Sequence, residues 1–536
     1  MRYDAGLLSP DTAGTAARGL AGHSVRSAEG VTMQLRLQIC SASGFLSKTL
    51  TAVMLAALLL PVAVRAQTAT DPGVRGVNWC PTCTNGSGGF VPGLNSNQQA
   101  LEQPMTNFIE EVNIVAGGPN VKRVGLGAGF DSNSCTSCHN FPAPGGSSPL
   151  SNQLFSVYQT MGAQNVMPFF ETPNGPTLVP RFPFKPDMIT PDGHVHQLFT
   201  ITGRTDAGSC NDQQPDFNTA AAEGNLIFRN TTPFFGGGLM EIIKDSDILA
   251  NMTSNLTLKM SLGISGMPNI NGDDGSVTRF GWKAQKRSLI LFAGEAYNVE
   301  EGIDNEFFPN KLNETPGCTP PFPDGPPNGN GTQGVPDDRT DWAFLPADGY
   351  LMPGDPERFG IFGRLLAAPV PSTTLNGSKG CPGGNLSSCS NGATQFANVG
   401  CVLCHTATIP GTSYVGFTTP PSSIAALGNQ PVNLFSDLLV HHVGSCDADN
   451  VSQGQAAGDQ FRTAPLWGAG QRGFFMHDGR TTNIVTAIEE HADGYQTTGC
   501  TGVGSYPASE ADAVIANFNA LDPTDQQDLI NYLRSL

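Results

Sequence analysis

Two copies of one short motif constrain this chain more than any other feature. Residues 135–139 are CTSCH and residues 401–405 are CVLCH, so each copy has two cysteines three positions apart and a histidine directly after them. This spacing attaches c-type haem, because the two thiols add to the vinyl groups of one porphyrin and the histidine then binds the iron. The sequence predicts two covalently bound haem c groups, held by Cys135, Cys138, His139, Cys401, Cys404 and His405.

The first 66 residues have the pattern of an export signal. A largely apolar run from Thr49 to Val64 follows basic residues and ends at Val64-Arg65-Ala66, which has small residues at both signal-peptidase positions. The run is shorter than the roughly 20 apolar residues that cross a bilayer. We therefore expect residues 1–66 to contain a cleaved signal peptide, with translation starting at Met33. The mature protein should then be periplasmic or secreted, without a stable membrane span.

Composition predicts a loop-rich protein and excludes one class of partner. Charged residues make up 14% of the chain, which contains 64 glycines and 41 prolines, whereas an average soluble chain has about 25% charged residues. The formal net charge is −18. Nucleic acid is excluded as a partner because phosphate neutralisation needs a basic surface.

The other cysteines predict disulfides. Of the 13 cysteines, the eight outside the two motifs and the signal segment can form four bonds in an oxidising compartment. Cys80 and Cys83 have no histidine after them, so we expect a local disulfide there. Cys381 with Cys389 is the other local pairing.

Elements recur in the same order after each motif. Arg229 and Arg462 each precede a proline, a helix follows at 288–297 or 483–491, and an amphipathic helix closes each copy at 357–367 or 524–536. This order predicts a mainly α, loop-rich fold of two cytochrome c-like helical domains related by internal duplication. Their expected bounds are 67–368, with Pro/Gly-rich insertions near 141–220 and 304–350, and 369–536. Arg229 and Arg462 are expected to pair with haem propionates.

Several stretches together resemble one family. They are Ser134–His139, Thr232–Glu241, Arg279–Gln285, Gly400–His405 and Arg462–Arg480. They are similar to the bacterial dihaem c-type oxidoreductases, a peroxidase-like and thiol-oxidoreductase-like family related to the dihaem cytochrome c peroxidases. The resemblance implies that peroxide is reduced at one haem while electrons from a small redox protein, a cytochrome or a cupredoxin, enter through the other. It also allows a calcium ion between the haems, to which no residue is assigned.

The resemblance further implies catalytic residues near the amino-terminal haem. Glu300 matches the acid–base glutamate of the peroxidases, although Glu301 stands where the family has methionine, and Glu241 is the reserve candidate. Trp282 matches the tryptophan between the haems. The alternatives are solvated glutamates at a helix end and a tryptophan that serves core packing.

The sixth iron ligand of the carboxyl-terminal haem is predicted to be His491. Ile484, Ile488 and His491 form one apolar stripe of a helix that should face the haem, and the spacing of His491 from His477 resembles that of the peroxidase ligand. The alternatives are a histidine that interacts with the helix dipole, or ligation by His477 or Met476.

For the amino-terminal haem, His194 or His196 is the candidate, since alternation places both on one face of an extended segment. The alternative is that both are surface histidines.

Three functions remain open from the sequence. The first is a periplasmic dihaem peroxidase. The second is a non-catalytic dihaem electron-transfer protein in which both irons have two protein ligands. The third is oxidation of an organic or protein substrate through high-valent iron. Ligand binding to the reduced haems separates the second function from the others.

Overall fold

Short helices and two-stranded sheets alternate along the chain and are joined by long loops. The computed structural model describes residues 69–113, 126–208, 210–303, 305, 307–308, 343–344, 351–352, 354–493 and 506–536. All belong to one compact unit, Gln67–Leu536. The predicted signal peptide and most of the predicted insertion at 304–350 lie outside the described residues. In the described part, no helix combines the length and apolar character needed to cross a membrane.

The amino-terminal half contains one long helix and several shorter ones among its described residues. The longest, Leu289–Glu301, begins where the Ser288 side chain accepts a hydrogen bond from the amide of Leu291. It packs against the helix Asp355–Leu365. The helices are α1 (Ser96–Gln99), α2 (Glu102–Ile109), α3 (Cys135–Cys138), α4 (Phe217–Ala222), α5 (Gly237–Ile242), α6 (Asp245–Thr253), α7 (Leu256–Ser261), α8 (Leu289–Glu301) and α9 (Asp355–Leu365).

The carboxyl-terminal half is built around two helices that cross closely. They are Leu386–Val399 and Pro523–Ser535, and a Cβ atom added at Gly392 of the first would lie 2.0 Å from the carbonyl oxygen of Asp528 in the second. Only glycine therefore permits this approach. The helices are α10 (Ser372–Asn376), α11 (Leu386–Val399), α12 (Ile484–Glu489), α13 (Asp512–Ala520) and α14 (Pro523–Ser535).

Short 3₁₀ helices connect several elements. One of them, Cys401–Leu403, contains the start of the second motif. The others are Gln153–Ser156, Thr160–Gly162, Gly377–Gly380, Pro382–Gly384, Ala425–Leu427 and Ala469–Gln471.

The strands form antiparallel pairs rather than a continuous sheet. The strands are β1 (Gly129–Phe130), β2 (Leu178–Arg181), β3 (Phe199–Thr200), β4 (Ile227–Asn230), β5 (Ala343–Phe344), β6 (Leu351–Met352), β7 (Phe417–Thr418), β8 (Pro431–Val432), β9 (Val440–His442) and β10 (Gln460–Arg462). In the described residues each sheet has two strands, paired β1–β3, β2–β4, β5–β6, β7–β8 and β9–β10. Arg229 in β4 pairs with Val179 in β2, and Arg462 in β10 pairs with Val440 in β9.

The apolar core is divided into several clusters. The largest lies around α11, α13 and α14 and includes Phe396, Phe518 and Leu529. Ala69, the first described residue, packs in this cluster. Nearby, Asp71 is ion-paired with Arg534 of α14 at 2.6 Å. The segment after 69 therefore packs on the carboxyl-terminal part. The expected division at 368/369 stays a prediction.

The fold agrees in part with the expectation from the sequence. The loop-rich character and the helices near 288–297, 357–367 and 524–536 are observed, and the helix expected at 483–491 is the shorter α12. Helices contain more of the described residues than strands do, but the fold is not all-α, because five strand pairs accompany the helices. Short strands were missed because each has only two to four residues, too few for an alternating pattern.

The disulfide predictions are confirmed at both local pairs. Cys80 is bonded to Cys83 and Cys381 to Cys389. Cys210 and Cys446 are also disulfide-bonded. The free cysteines among the described residues are those of the two motifs, Cys135, Cys138, Cys401 and Cys404.

Candidate functional site

Each motif opens onto its own cavity. The carboxyl-terminal cavity has a volume of about 230 Å³ and is lined by Cys401, Cys404 and His405 together with residues of α11, α12, α13 and α14. The amino-terminal cavity has a volume of about 410 Å³ and is lined by Cys135, Cys138 and His139 together with residues of β2, β4, α8 and α9. The two pairs of free thiols thus lie at the walls of two separate cavities.

Two histidines lie close together in the carboxyl-terminal cavity. The ring centres of His405 and His491 are 6.5 Å apart. The Nδ1 atom of His405 is 2.9 Å from the carbonyl oxygen of Phe435, and that of His491 is 2.7 Å from the carbonyl oxygen of Ala487. A histidine that binds a metal usually donates its other ring N–H to such a carbonyl. Both Nε2 atoms are therefore left for a metal.

This pair fits an iron between the two rings. An ion bound to both Nε2 atoms at about 2 Å would place the ring centres about 6 Å apart, since each nitrogen lies about 1 Å from its own ring centre. Burial lowers the pKa of His405 to about 4 and also lowers the pKa of His491. Both imidazoles are thus held neutral, as ligation requires. Ile484 and Ile488 line the same cavity, as the helical stripe predicted.

The other histidines near this cavity have protein partners. His477 stacks on Phe461 with ring centres 4.4 Å apart, and its Nε2 is 3.0 Å from the carbonyl oxygen of Asp447. His441 contacts Glu510 at 2.7 Å. His442 contacts Asp459 at 2.6 Å. These histidines and Met476 line the cavity.

One further group of possible metal ligands occurs in the described residues. Ligand atoms of Cys404, Asp437 and His441 lie within 4.8 Å of one another. Cys404 is one of the two motif thiols, and calcium prefers oxygen ligands. We therefore assign neither calcium nor another ion to this group.

In the amino-terminal cavity, the motif histidine is fixed in the same manner. The side chain of Ser134 accepts a hydrogen bond from the amide of Thr136 and so begins α3. The Nδ1 atom of His139 is 3.1 Å from the carbonyl oxygen of Gly146. Burial lowers the pKa of His139 to about 4, so this imidazole is also neutral.

The two other candidate histidines lie in different surroundings. His194 is exposed and lines the amino-terminal cavity. His196 stacks on Phe182 with ring centres 3.8 Å apart and contacts Asp192 at 3.3 Å, and it does not line the cavity. Of the two candidates, His194 therefore lies at the cavity and His196 does not. The ring of His196 packs against Phe182 instead.

Two neighbouring glutamates line the amino-terminal cavity at the end of α8. Glu301 is buried, accepts a hydrogen bond from the side-chain amide of Asn113, and lies 3.8 Å from Cys135 Sγ. Burial raises the pKa of Glu301 to about 8. Burial also raises the pKa of Glu300. Both side chains thus favour the protonated form more than an exposed glutamate does, which disagrees with the alternative of solvated helix-end residues.

Glu241 lies elsewhere. Its carboxylate forms an ion pair with Arg364 at 2.5 Å and accepts a hydrogen bond from the amide of Leu289 at 2.9 Å. It does not line the amino-terminal cavity. The structure therefore does not favour Glu241 as the reserve acid–base candidate, because both of its carboxylate oxygens bind groups of α8 and α9.

The arginines of the two cavities differ in their partners. Arg229 lines the amino-terminal cavity but is ion-paired with Asp449 at 2.6 Å. Arg462 lines the carboxyl-terminal cavity and donates to the carbonyl oxygens of Gly281 and Thr463. Burial lowers the pKa of Arg462 to about 10. Among the described groups, Arg229 thus has a carboxylate partner that would compete with a haem propionate, whereas Arg462 has none.

Two further cavity arginines were not predicted. Arg181 in β2 lines the amino-terminal cavity, and its buried Nε has no hydrogen-bond partner among the described residues. Arg472 lines the carboxyl-terminal cavity and donates to the carbonyl oxygen of Pro465. Neither forms an ion pair with a described carboxylate. Both fit an anionic group in the cavity. No sequence motif marks these two arginines, because their burial at the cavities is visible only in the structure.

Trp282 lies between the two cavities. It lines both of them, and its Nε1 donates to the carbonyl oxygen of Asn230 at 2.8 Å. The next residue, Lys283, is buried and ion-paired with Asp449 at 3.0 Å. The ring of Trp282 is thus held at the shared wall.

The carboxyl-terminal part of the chain matches a known family. Residues 382–536 match the model described as "Di-haem oxidoreductase, putative peroxidase". No curated protein is significantly similar to the chain. A solved structure of Kuenenia stuttgartiensis hydrazine synthase, pressurised with xenon, is similar at 19% identity and a TM-score of 0.20. That match covers 35% of this chain and 56% of the other, and a similarity this low does not establish a shared fold.

Proposed function

We propose, from the premise that residues 382–536 belong to the di-haem oxidoreductase family, that this protein is a periplasmic dihaem c-type oxidoreductase. It reduces peroxide at the amino-terminal haem with electrons passed through the carboxyl-terminal haem. The observation that carries the proposal is the difference between the cavities. One has two histidine rings 6.5 Å apart, and the other has Glu300 and Glu301 beside its motif.

The residues that hold the haems follow from the two cavities. Cys135 and Cys138 bind the first haem, with His139 as its iron ligand. Cys401 and Cys404 would bind the second, and His405 and His491 would be its iron ligands. When bound, each haem supplies an iron that exchanges single electrons, and an iron with one open position also binds peroxide.

The buried cations complete both haem sites. Arg181 in the amino-terminal cavity, and Arg462 and Arg472 in the carboxyl-terminal one, would hold haem propionates by charge-assisted hydrogen bonds. Arg229 instead holds Asp449 and acts on the haem site only through that pair. Trp282, which lines both cavities, is the bridge for electrons between them.

Glu300 is the acid–base group of the reaction. Reduction of one hydrogen peroxide to two waters consumes two electrons and two protons, so a group must move protons between the peroxide oxygens. Glu300 lines the cavity, and burial raises its pKa. A carboxyl whose pKa lies nearer to neutral pH is suited to both taking and returning a proton.

The duplication, the export and the electron donor are parts of the same proposal. A strand that bears an arginine, a bridged turn and a capped helix follow one another in both halves. The turns are bridged at Phe280–Lys286 and Phe475–Thr481, and the helices are capped by Ser288 and Asn483. This supports an internal duplication. A small cytochrome or cupredoxin delivers the electrons after export.

One observation favours a second candidate function. His194 lines the amino-terminal cavity, and if it binds the iron, both haems have two protein ligands. The protein is then a non-catalytic electron-transfer protein.

Turnover of hydrogen peroxide with a reduced cytochrome tests the proposal. We expect turnover by the wild-type protein and a loss of about 100-fold or more in Glu300→Gln, with both haems retained. The exposed Glu223 supplies the matched control, since Glu223→Gln makes the same chemical change away from the cavity. Full turnover in Glu300→Gln would contradict the role. No turnover in the wild type, with no carbon monoxide binding to the reduced protein, would favour the second candidate.

A further inference from the structure

A buried carboxyl group lies behind Glu300 and has no part in the function described so far. Asp131 is 2% exposed and follows β1. Its Oδ1 accepts a hydrogen bond from the amide of Leu198 at 2.6 Å. Its Oδ2 is buried and has no hydrogen-bond donor among the described residues.

The backbone holds Asp131 against the end of α8. The amides of Asp131 and Ser132 both donate to the carbonyl oxygen of Glu300, at 2.7 and 3.0 Å, and the amide of Gly127 donates to that of Glu301 at 2.9 Å. The approach is so close that a Cβ atom added at Gly127 would lie 2.1 Å from the carbonyl oxygen of Gly302. The positions of residues 131 and 300 are therefore fixed relative to each other.

The two carboxyl groups interact with each other. Their side chains are within hydrogen-bonding reach, and the charge of Glu300 raises the pKa of Asp131. Two ionised carboxylates cannot be neighbours in a buried site without a large cost. A proton between them removes this repulsion and gives Asp131 Oδ2 the hydrogen-bond partner that it otherwise lacks.

We propose that Asp131 is a positioning residue that stays protonated and donates its proton to the carboxylate of Glu300, so that the pair shares one proton at the wall of the amino-terminal cavity. The inference rests on the proposed role of Glu300. It adds that Glu300 does not act alone, because Asp131 stabilises its ionised form and fixes its orientation toward the cavity.

The pKa directions agree with this assignment. Burial raises the pKa of both groups, while the hydrogen bond from Asp131 lowers that of Glu300. Of the other groups near the pair, Arg181 in β2 lowers the pKa of Glu300, and Glu295 in α8 raises it. Glu171 raises the pKa of Asp131. Cys138 is the nearby thiol, and haem attachment removes it as a titrating group. Glu300 therefore ionises first and Asp131 keeps the proton.

Two substitutions at Asp131 separate this role from packing. Asp131→Asn keeps an oxygen for the Leu198 amide and puts an N–H donor where the shared proton lies. Asp131→Leu fills a similar volume without a donor, and Asp131→Ala removes the donor without adding bulk. If one of the two donor-free variants, Asp131→Leu or Asp131→Ala, fails to incorporate haem, the other is used for the measurement.

The readout is the ionisation of Glu300 in the haem-loaded protein. Infrared spectra are recorded over a pH series. The band that is followed is the carbonyl band of the protonated Glu300 side chain, which is identified by its absence in Glu300→Gln. We expect the ionisation midpoint of Asp131→Asn to stay close to that of the wild type, and that of Asp131→Leu or Asp131→Ala to rise by about one pH unit or more. A wild-type midpoint in both donor-free variants, or an equal rise in Asp131→Asn, would overturn the proposal.

The infrared titration does not depend on peroxide turnover. Normal turnover without a shift in the midpoint would reject the role of Asp131 alone. A shift as expected, with full turnover in Glu300→Gln, would reject the catalytic role of Glu300 while leaving the shared proton in place.

Discussion

The imidazole rings of His405 and His491 lie 6.5 Å apart, centre to centre, in the carboxyl-terminal cavity. Each Nδ1 is bonded to a backbone carbonyl oxygen, so both Nε2 atoms remain for one iron. The described part of the amino-terminal cavity has no such pair of close histidine rings. We infer that the two haems differ in ligation.

Replacement of His491 is expected to change the carboxyl-terminal haem alone. In His491→Met a thioether replaces an imidazole, and methionine ligation raises the reduction potential. Spectroelectrochemical titration should show one potential rising while the other stays. His477→Gln is the matched control, since His477 lines the same cavity but contacts Asp447 and Phe461. An unchanged pair of potentials in His491→Met would contradict the assignment.

Each motif is expected to hold one haem covalently. The pyridine haemochrome assay should give two c-type haems per wild-type chain. Cys135→Ala or Cys401→Ala should each weaken the attachment of one haem and lower the yield of folded protein, because a bound haem would fill the cavity that each motif lines. A result of zero or one haem per wild-type chain would reject the prediction.

Trp282 is expected to matter for electron transfer and Trp467 for packing. Trp282 lines both cavities, whereas Trp467 is buried in an apolar cluster and lines neither. Trp282→Phe should slow electron transfer between the haems after rapid reduction, and Trp467→Phe should leave that rate unchanged. Equal rates in wild type and Trp282→Phe would remove Trp282 from the path.

Glu241 is expected to stabilise the fold without taking part in turnover. Glu241→Gln removes the charge that pairs with Arg364 and weakens the bond to the Leu289 amide. The free energy of unfolding should fall by about 1–3 kcal/mol, as measured by denaturant titration, with turnover retained. A selective loss of turnover at unchanged stability would return Glu241 to the catalytic candidates.

Glu171 is expected to make stability depend on pH. It is buried, and burial raises its pKa to about 8 from an ordinary value of 4.5. Between those two values the folded state binds the proton that the unfolded state releases, so this group's contribution to stability is full below 4.5 and is lost as the pH rises toward 8. The free energy of unfolding of Glu171→Gln, minus that of the wild type, should therefore rise with pH by up to about 1.4 kcal/mol per pH unit.

The control for that experiment is the difference in slope rather than the absolute stability. Both carboxylate oxygens of Glu171 accept hydrogen bonds, from Asn152 and Leu178, so the amide costs some stability at every pH. Parallel pH curves for wild type and Glu171→Gln would show that Glu171 ionises as freely in the folded state as in the unfolded state.

The sequence predicts local chemistry better than long-range pairing. The motif cysteines and both local disulfides depend on spacings of a few residues, which are visible in the chain. Arg229 was expected to hold a propionate, but it is paired with Asp449, which lies more than 200 positions away. Likewise, Asp131 approaches Glu300 only because the end of β1 packs on the end of α8, and no local pattern announces that contact.

The same limit explains the two candidate histidines at 194 and 196. Alternation along an extended segment placed both on one face. The structure brings Phe182 against His196 and leaves His194 at the cavity, because tertiary contacts decide what each side chain meets.

Electron paramagnetic resonance of the oxidised protein tests the central claim most directly, since it counts high-spin and low-spin ferric haems. We expect equal amounts of the two in the wild type, with the low-spin signal coming from the haem that His405 and His491 would hold. In His491→Ala that signal should become high-spin. Two low-spin haems in the wild type, or a low-spin signal that persists in His491→Ala, would contradict the account.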